Sequence, residues 1–375
     1  MKKSISILVI LILTAAAFWY LQNEAIAPNG PNDGNNGNQN GEEIPDVEVV
    51  LDGLEIPWDI AWFPSGEILV AERPGRLLLV DKNKERKEIT VEGVKHSGEG
   101  GLLGIKLHPN FSENKFIYLY ISSGYNANQT RNRVERYRLE NNALSDKKII
   151  IENIPGAIYH DGGRMEFGPD GLLYITTGDA TNDKIAQDKN SLGGKILRLQ
   201  DDGSIPPENP FNSAIWSYGH RNPQGIAWDD AGRLWETEHG PSALIWPNCC
   251  QDEINLIEVG KNYGWPASVG DKVEAGTVAP VLHSGRNVWA PASLVYLKGS
   301  LFFGGLKGEA LYEAVLDGEN IKEFKTHFKN EFGRIRTVRV GPDKMLYLAT
   351  SNRDGRGNPE EEDDRIIRIN PSSLK

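Results

Sequence analysis

The sequence predicts an all-β protein, and specifically a six-bladed β-propeller, on three observations. Glycine is unusually frequent, with 40 residues in 375, about 11% against a usual 7%, which indicates many turns. One pattern occurs six times, and it consists of an apolar lead-in, a Gly/Pro/Asp turn and a run of alternating apolar residues. Beyond the apolar N-terminal run, no segment has sustained helical periodicity. The chain is long enough to bury its own core.

The six copies of this hairpin pattern are 62–72, 107–122, 167–179, 228–240, 295–308 and 340–352. Their turns lie about 45 to 65 residues apart, the period of a blade of four antiparallel strands. A β-sandwich is the alternative fold, but it does not explain the regular period. The C-terminal "RIIRIN" is expected to pair with an early strand near "DVEVVL", closing the ring and removing a free edge.

The N-terminus, residues 1–21, is predicted to be a membrane anchor or a signal segment. Lys2 and Lys3 precede a long apolar run, residues 4–21, whose positive flank keeps the N-terminus inside. The sequence "AIA" at 25–27 resembles a signal-peptidase site. A retained anchor and a cleaved signal both stay open, and under either the rest of the chain is exported.

A flexible linker is predicted between this segment and the propeller. Residues 22–44 are rich in Asn and Gly, a composition that does not support a packed core. The catalytic propeller domain is therefore expected to span residues 45–375.

The net charge of −11 argues against a nucleic-acid partner for the folded domain. Acidic loops are, however, compatible with calcium binding. The sequence contains no G-x-S-x-G, H-E-x-x-H or P-loop motif, so it gives no sign of the hydrolase, zinc-protease and nucleotide-binding classes that these motifs mark.

Cys249 and Cys250 are adjacent and are the only cysteines. Two cysteines are too few for the usual cysteine-rich structural zinc site. They are either two buried thiols or, in an oxidising compartment, a vicinal disulfide. We favour the disulfide, as a loop stiffener and not as a redox centre.

Functional residues of a propeller concentrate in loops at one mouth of the channel, since the strands are occupied with packing. His160 lies in such a loop, "YHDGGR", and is either a general base or the cap of a turn. Arg221 and Asn222, in "YGHRNPQG", either polarise an oxygen and bind an anion or brace neighbouring loops.

Cations and carboxylates form three further candidate groups. Arg334 and Arg336 are two apart in a predicted strand and therefore share a face. With Lys307 they either bind a polyanion or pair with the acidic run 360–364. Carboxylates near Gly240 and Pro241 suggest a calcium site, and these carboxylates are Glu238, Asp252 and Glu253. Glu99, in a glycine-rich loop, either touches a ligand or is solvated.

Five motifs occur in a recognisable order: "GEGGLLGI", "HDGGRMEFGPDGLLYITTGD", "YGHRNPQGIAWD", "EHGP" with "DEINLIEVGKNYGWP", and "GRIRTVRVGPDKMLYL". With them the chain resembles the pyrroloquinoline quinone (PQQ)-dependent aldose sugar dehydrogenases, relatives of soluble quinoprotein glucose dehydrogenase. The resemblance covers residues 45–372. It implies oxidation of an aldose at C1 to a lactone, with hydride transfer to the quinone and electrons passed to an external acceptor.

The resemblance also implies roles for the candidate residues. His160 would take the hydroxyl proton while hydride leaves C1, and Arg221 and Asn222 would stabilise the charge on the quinone being reduced. The carboxylates of PQQ would be held by cations, namely Lys307, Arg334 and Arg336.

Calcium and substrate positions follow from the same resemblance. Main-chain oxygens of Gly240 and Pro241 would bind the calcium that holds the cofactor. Glu253 and the carbonyl of Tyr263 would bind a second, structural calcium. The substrate-side positions would be Asp179 and Gln187.

Two departures from the family pattern predict a more open pocket that retains the cofactor less tightly. Glu99 stands where relatives often carry glutamine, and its carboxylate should repel an anionic cofactor unless it is protonated or calcium-linked. The segment "YGWPASVGDKVEAG" lacks an aromatic residue after Trp265. The alternative functions are a non-catalytic exported binding module and a metal-dependent lactonase.

Overall fold

Residues 46–126, 129–242 and 249–374 are described by the computed structural model. They form six four-stranded antiparallel sheets, and the first strands of neighbouring sheets contact one another around a ring. The predicted six-bladed propeller is therefore confirmed, with the first strands lining a central channel. The predicted anchor or signal (1–21) and the linker (22–44) lie outside the described residues. Among the residues described, no helix has the length and apolar character needed to cross a bilayer.

The first strand among the described residues is β1 (Val47–Leu51), which joins the last blade. Blade 1 consists of β2 (Pro57–Trp62), β3 (Ile68–Glu72), β4 (Arg76–Val80) and β5 (Arg86–Thr90). Blade 2 consists of β6 (Leu102–Leu107), β7 (Phe116–Asn126), β8 (Gln129–Glu140) and β9 (Ala143–Gly156). Blade 3 consists of β10 (Met165–Phe167), β11 (Leu173–Thr177), β12 (Lys195–Leu199) and β13 (Ile215–Tyr218).

The other three blades follow the same order from the channel outwards. Blade 4 consists of β14 (Pro223–Trp228), β15 (Leu234–Glu238), β16 (Glu253–Ile257) and β17 (Leu282–His283). Blade 5 consists of β18 (Pro291–Leu297), β19 (Ser300–Gly305), β20 (Ala310–Asp317) and β21 (Asn320–His327). Blade 6 consists of β22 (Ile335–Val340), β23 (Leu346–Thr350), β24 (Ile366–Ile369) and β1. The helical segments are short: α1 (Phe111–Asn114) and three 3₁₀ turns, Asp183–Ala186, Pro210–Asn212 and Pro371–Ser373.

Ring closure occurs as the sequence predicts. Strand β1 pairs antiparallel with β24, with Val47 opposite Ile369 and Val49 opposite Ile367. Since the first strand of the domain completes the last blade, the ring is closed by main-chain hydrogen bonds and a free sheet edge is covered.

Apolar clusters fill the spaces between neighbouring blades. The cluster between blades 2 and 3, for example, contains the buried side chains of Tyr120, Met165 and Ile175. Corresponding clusters of buried apolar residues occur at the other blade interfaces. Burying such a side chain stabilises the fold by roughly 1.5–3 kcal/mol, so the strands are committed to packing and the loops are left to carry function.

An ionic cluster links the first strands of blades 1, 2, 3 and 6. Asp59 is buried between Arg164 at 2.8 Å and Arg339 at 2.7 Å. Arg339 also contacts Glu166, which pairs in turn with Lys106. We call the end at which the first strands begin the upper mouth and the opposite end the lower mouth.

Candidate active site at the upper mouth

The upper mouth collects the predicted site residues because two kinds of loop meet there. The loops that precede the first strands carry Glu99, His160, Arg221, Asn222 and Arg334. The loops that follow the second strands reach the same end, since each second strand runs antiparallel to the first; they carry Asp179, Gly240 and Lys307. A cavity of about 750 Å³ at the lower mouth is lined by none of these residues.

His160 is held by contacts on both its main chain and its ring. The main-chain N–H donates to Glu99 Oε2 at 3.0 Å, and Nδ1 lies 2.7 Å from Asp179 Oδ1. Because a carboxylate accepts at Nδ1, we assign the proton to Nδ1, which leaves the lone pair on Nε2. The side chain is 17% exposed, so the ring has access to a ligand, as a general base requires.

Asp179 lies behind the imidazole and not at the open surface. Its carboxylate is 1% exposed and accepts from the Trp265 indole N–H at 2.8 Å and from the Thr181 main chain at 2.8 Å. The resemblance put Asp179 on the substrate side, whereas in the structure its contacts orient His160 and Trp265. Its position is therefore that of a residue that fixes the histidine tautomer.

Two glycines allow the His160 loop to pass close to the end of β11. Gly162 has a φ of +65°, in the left-handed region, and a Cβ there would lie 2.6 Å from the Thr177 Cα. A Cβ on Gly178 would lie 1.9 Å from the His160 carbonyl oxygen. Side chains at these positions would displace the histidine from Asp179.

Arg221 and Asn222 are fixed through their main chains by one buried carboxylate. Glu238 Oε2 accepts from the N–H of Arg221 at 2.6 Å and of Asn222 at 3.3 Å. The Arg221 guanidinium lies 5.3 Å from the Trp265 ring centroid and donates to the His239 carbonyl at 3.3 Å. The Asn222 side chain accepts from Gly162 at 3.1 Å, but its buried Nδ2 has no partner. Such a buried donor is costly unless a ligand satisfies it.

Arg334 lies at the start of blade 6, just outside its first strand. It lies one residue before β22, and the register with β23 shifts between Ile335 and Thr337. Arg334 pairs with Asp354 at 2.8 Å and donates to the Leu306 carbonyl at 2.9 Å. The predicted alternative, pairing with the acidic run 360–364, is therefore wrong for Arg334.

Arg336 is buried, and no carboxylate among the described residues pairs with it. It is 3% exposed, donates to Gln224 Oε1 and stacks 5.8 Å from the Trp58 ring centroid, while its Nε has no partner. Burial lowers the pKa of Arg336 to about 9, against the opposing effect of Asp354 and Glu99. The group stays cationic at neutral pH, so it is a buried charge that an anionic ligand would stabilise.

Two arginines that the sequence analysis missed complete the cationic cluster. Arg73 is buried, and its Nε lies 3.2 Å from His96 Nε2. Arg356 pairs with Glu99 at 2.7 Å. Both arginines lie in loops that follow second strands, and this position could have identified them as candidates from the sequence.

Lys307 is exposed. The four guanidiniums of this region, Arg73, Arg334, Arg336 and Arg356, face two carboxylates, Glu99 and Asp354, which leaves a net charge of +2 (4 − 2).

Glu99 is compensated by a cation that the sequence-based expectation did not include, the guanidinium of Arg356. Burial alone would raise the pKa of its carboxyl, but the Arg356 charge and the His160 N–H lower that pKa to about 2. The carboxylate is therefore ionised and neutralised by Arg356 while it holds the His160 loop.

The four predicted calcium ligands come together around one small space. Gly240, Pro241, Glu253 and Tyr263 line a cavity of about 10 Å³, which suits one water-sized particle. Asp252 fixes the loop, because its Oδ1 accepts from the Gly240 N–H at 2.9 Å. All four residues line this one cavity, and the division into two calcium positions stays a prediction.

Buried carboxylates beside this cavity repel one another, and Arg221 is the cation that lines the cavity with them. Asn255 Nδ2 is shared by Glu236 at 3.0 Å, Glu238 at 3.4 Å and Glu253 at 3.3 Å. Burial and the neighbouring Glu238 raise the pKa of Glu253 to about 8 and that of Glu236 well above its usual range. A hard divalent cation would relieve this repulsion, so the donor set fits calcium. Glu236 was missed because it sits inside an apolar strand pattern.

Gln187 and the cysteines support the loops of the site. The Gln187 amide donates to the Trp265 carbonyl at 2.7 Å and exchanges hydrogen bonds with Asn262 at 2.9 and 3.0 Å. It therefore braces the turn that presents Trp265. Cys249 and Cys250 lie with their sulfur atoms adjacent, and the vicinal disulfide stays a prediction.

Asp161→Asn should remove a pH dependence of stability. Asp161 Oδ2 is buried and unpartnered, and burial raises the pKa of the carboxyl from 3.8 to about 7. The folded protein thus keeps a proton that the unfolded chain loses between about pH 4 and 7, so stability falls by up to about 1.4 kcal/mol per pH unit as pH rises and then levels off. Urea denaturation of wild type and variant at pH 5, 6, 7 and 8 measures the difference. Parallel stability curves would contradict the assignment.

Known proteins resemble this chain over most of its length. Residues 54–358 match the model of the family described as glucose/sorbosone dehydrogenase. Aldose sugar dehydrogenase YliI of Escherichia coli is 33% identical over 82% of this chain and 91% of its own. Quinoprotein glucose dehydrogenase B of Acinetobacter calcoaceticus is 35% identical over 62% of this chain and 54% of its own. The PQQ-bound aldose sugar dehydrogenase of Streptomyces coelicolor superposes with a TM-score of 0.79 at 39% identity, covering 86% of this chain and 97% of that one. The chain belongs to the glucose/sorbosone dehydrogenase family.

Proposed function

We propose that this protein oxidises aldose sugars at C1 to lactones with PQQ as cofactor and passes the electrons to an external acceptor. The observation that carries the proposal is the His160–Asp179 pair, which lies beside buried cations and donors that lack partners. Relatives with solved structures include a PQQ-bound aldose sugar dehydrogenase, which supports the same cofactor here.

The residues at the upper mouth fit a planar, tricarboxylate cofactor. Arg336 and Asn222 each bring a buried donor without a partner, Nε and Nδ2, and the surrounding guanidiniums exceed the carboxylates. We infer that Arg336, Arg334 and Lys307 hold carboxylates of PQQ. Arg221 and Asn222 direct donors at its oxygens.

The chemistry divides between the cofactor and the chain. When bound, PQQ supplies the acceptor for the hydride that leaves C1 of the sugar. His160 Nε2 takes the proton of the C1 hydroxyl, which lets the C1–O bond become a carbonyl as hydride departs. Asp179 keeps the proton on Nδ1 and stabilises the imidazolium that results. Arg221 and Asn222 stabilise negative charge with donors that are already in place.

Calcium removal is expected to abolish cofactor-dependent activity. We propose that the cavity lined by Gly240, Pro241, Glu253 and Tyr263 binds calcium, since buried carboxylates there repel one another. Chelator treatment should lower the melting temperature of the protein, and added calcium should restore it. Glu253→Gln should weaken calcium binding in isothermal titration calorimetry. Equal calcium affinity in variant and wild type would contradict the assignment.

Reconstitution tests the proposed function directly. The chain from residue 45 onwards is supplied with PQQ, calcium and a panel of aldoses, and reduction of an artificial dye is followed. Sugar-dependent reduction that needs both additions is the expected result. Absence of reduction together with absence of PQQ binding would favour the non-catalytic binding module.

Neither alternative function is favoured by a specific observation. A lactonase needs a metal that substrate can reach. Among the described residues, the cluster with metal-ligand spacing is His220, Glu236 and Glu238, and each is at most 4% exposed.

Export, by an anchor at residues 4–21 or a cleaved signal, stays part of the proposal, and the electron acceptor would then be extracytoplasmic.

A further inference from the structure

Lys195 is a buried cation that has no part in the proposed reaction so far. It is the first residue of β12 and is 0% exposed. Burial lowers the pKa of its ammonium to about 7, against the opposing effect of Asp188, which is an exposed residue of the next loop turn. Burying a charge without a close ion pair is costly, so other contacts must compensate the ammonium.

Three main-chain carbonyls of one loop supply this compensation. Lys195 Nζ donates to the carbonyl oxygens of Ile185 at 2.8 Å, Ala186 at 3.0 Å and Gly193 at 2.6 Å. These contacts use all three donors of an ammonium group. The three acceptors belong to residues 178–194, which connect β11 to β12 and which we call the β11–β12 loop. The ammonium therefore ties the middle of this loop to its end.

The segment held by the ammonium contacts the main chain of Trp265 by two routes. The Ala186 carbonyl accepts from the Gly219 N–H at 3.0 Å, and the Gly219 carbonyl accepts from the Trp265 N–H at 2.9 Å. The side chain of Gln187 donates to the Trp265 carbonyl at 2.7 Å. A displacement of this segment would therefore displace Trp265.

Trp265 connects the segment to the proposed general base. Its indole N–H donates to Asp179 Oδ2 at 2.8 Å, and Asp179 Oδ1 lies 2.7 Å from His160 Nδ1. We propose that Lys195 is a positioning residue for the oxidation, whose ammonium fixes the β11–β12 loop so that Trp265 and Asp179 hold His160. The inference rests on the proposed function and adds to it a fully buried residue that acts through these side chains.

Lys195→Met separates positioning from folding. Methionine fills much of the same volume but has neither a charge nor a donor. Two of the three carbonyls keep a main-chain donor, because Ile185 accepts from Asp188 at 3.2 Å and Ala186 accepts from Gly219 at 3.0 Å. Since replacing a buried charge by an apolar side chain of similar volume is often neutral for stability, the fold should tolerate the change while the loop loses its fixed geometry.

The first measurement is steady-state kinetics of the reconstituted enzyme at a pH of about 6, below the pKa of Lys195. Lys195→Met should lower kcat about 10- to 100-fold, since a displacement of about 1 Å in a catalytic group can cost that much. The KM for the aldose should change far less than kcat. Lys106→Met is the matched control, because Lys106 is a lysine at the lower mouth that pairs with Glu166, and it should leave kcat unchanged.

The second measurement needs no turnover. The indole N–H signal of Trp265 in the ¹H–¹⁵N NMR spectrum of the cofactor-free protein is assigned by its loss in Trp265→Phe. In Lys195→Met this signal should shift upfield, because the indole loses its hydrogen bond to the Asp179 carboxylate. In Lys106→Met the signal should stay where it is in wild type.

Wild-type kcat together with an unshifted indole signal in Lys195→Met would overturn the positioning role, whatever the stability of the variant. If Lys195→Met does not fold, Lys195→Gln, which keeps an amide donor but no charge, is measured in the same two ways and judged by the same criteria. If the wild-type enzyme oxidises no sugar, the proposed function fails, and the indole signal alone then supports or rejects the link from Lys195 to Asp179.

Discussion

His160→Ala is expected to lower the turnover number by about 10²–10⁴-fold, the usual contribution of a positioned general base, while PQQ binding stays largely intact. The physical reason is that Nε2 of His160 is free to accept a proton because Asp179 holds Nδ1 at 2.7 Å. Steady-state kinetics with a saturating aldose measure the first quantity, and titration with PQQ measures the second.

A matched histidine separates catalysis from structure. His283, on β17 in the outermost position of blade 4, interacts with the exposed Asp271, so His283→Ala should leave turnover unchanged. Asp179→Asn should lower turnover without removing the imidazole, because the proton on Nδ1 loses its carboxylate. Normal turnover by His160→Ala would remove the role assigned to it and return it to the alternative of a turn cap.

Arg336→Met is expected to weaken PQQ binding by about 10²-fold or more, since truncating one partner of a buried charge pair typically costs 2–5 kcal/mol. Without cofactor, the variant should be as stable as wild type or more stable. The reason is that Arg336 is buried with an unpaired Nε and that no carboxylate in the described part of the chain pairs with it, so methionine removes an uncompensated charge. Equilibrium titration and urea denaturation of the cofactor-free protein give the two values.

Arg339 on the same strand is the matched control. It is buried in ion pairs with Asp59 and Glu166, and Arg339→Met should destabilise the protein by about 3–5 kcal/mol because it leaves buried carboxylates unpaired. Opposite effects of the two substitutions on stability would mark Arg336 as a ligand-binding cation. A comparable loss of stability in Arg336→Met would mark it as structural.

The expectation of weak cofactor retention now rests on one departure from the family pattern and not two. Glu99 is paired with Arg356, so its charge is already compensated and repulsion of an anionic cofactor is not expected. The missing aromatic residue after Trp265 still predicts a more open pocket. A PQQ dissociation constant equal to that of a relative with this aromatic residue, under the same conditions, would contradict that prediction.

Much of the fold could be predicted because a propeller repeats its local signals. Each blade places a polar turn between the first and second strands, as in "FGPDGLLYI", where Gly168 accepts from Gly171 at 2.9 Å. The closing pair of β1 and β24 was also predicted, because pairing of the first strand with the last covers a free sheet edge. Local sequence fixes hairpins of this kind, and hairpin spacing fixes the number of blades.

The site was predicted less completely, because contacts between loops of different blades leave no local signal. Arg73 and Arg356 are separated from Glu99 by very different distances along the chain, yet both belong to its electrostatic surroundings. In the sequence, Glu236 occupies a position that looks like any inward-facing position of a strand. Arg334 pairs with Asp354 and not with the more conspicuous acidic run 360–364. The reason is that the main-chain geometry at the start of β22 determines the direction of the Arg334 side chain.

By itself, the sequence determined the blade number, the ring closure and the set of loops that carry His160, Arg221 and Asn222. Periodicity and turn chemistry act between residues close in the chain, so they can be recognised without a structure. Only the tertiary structure decided that Asp179 orients His160, that Glu99 is neutralised by Arg356 and that no carboxylate of the described residues pairs with Arg336. These properties arise from burial and from charges that the fold brings together from separate blades. The electrostatic free energy of an ionisable group depends on these spatial neighbours and not on its neighbours in the sequence.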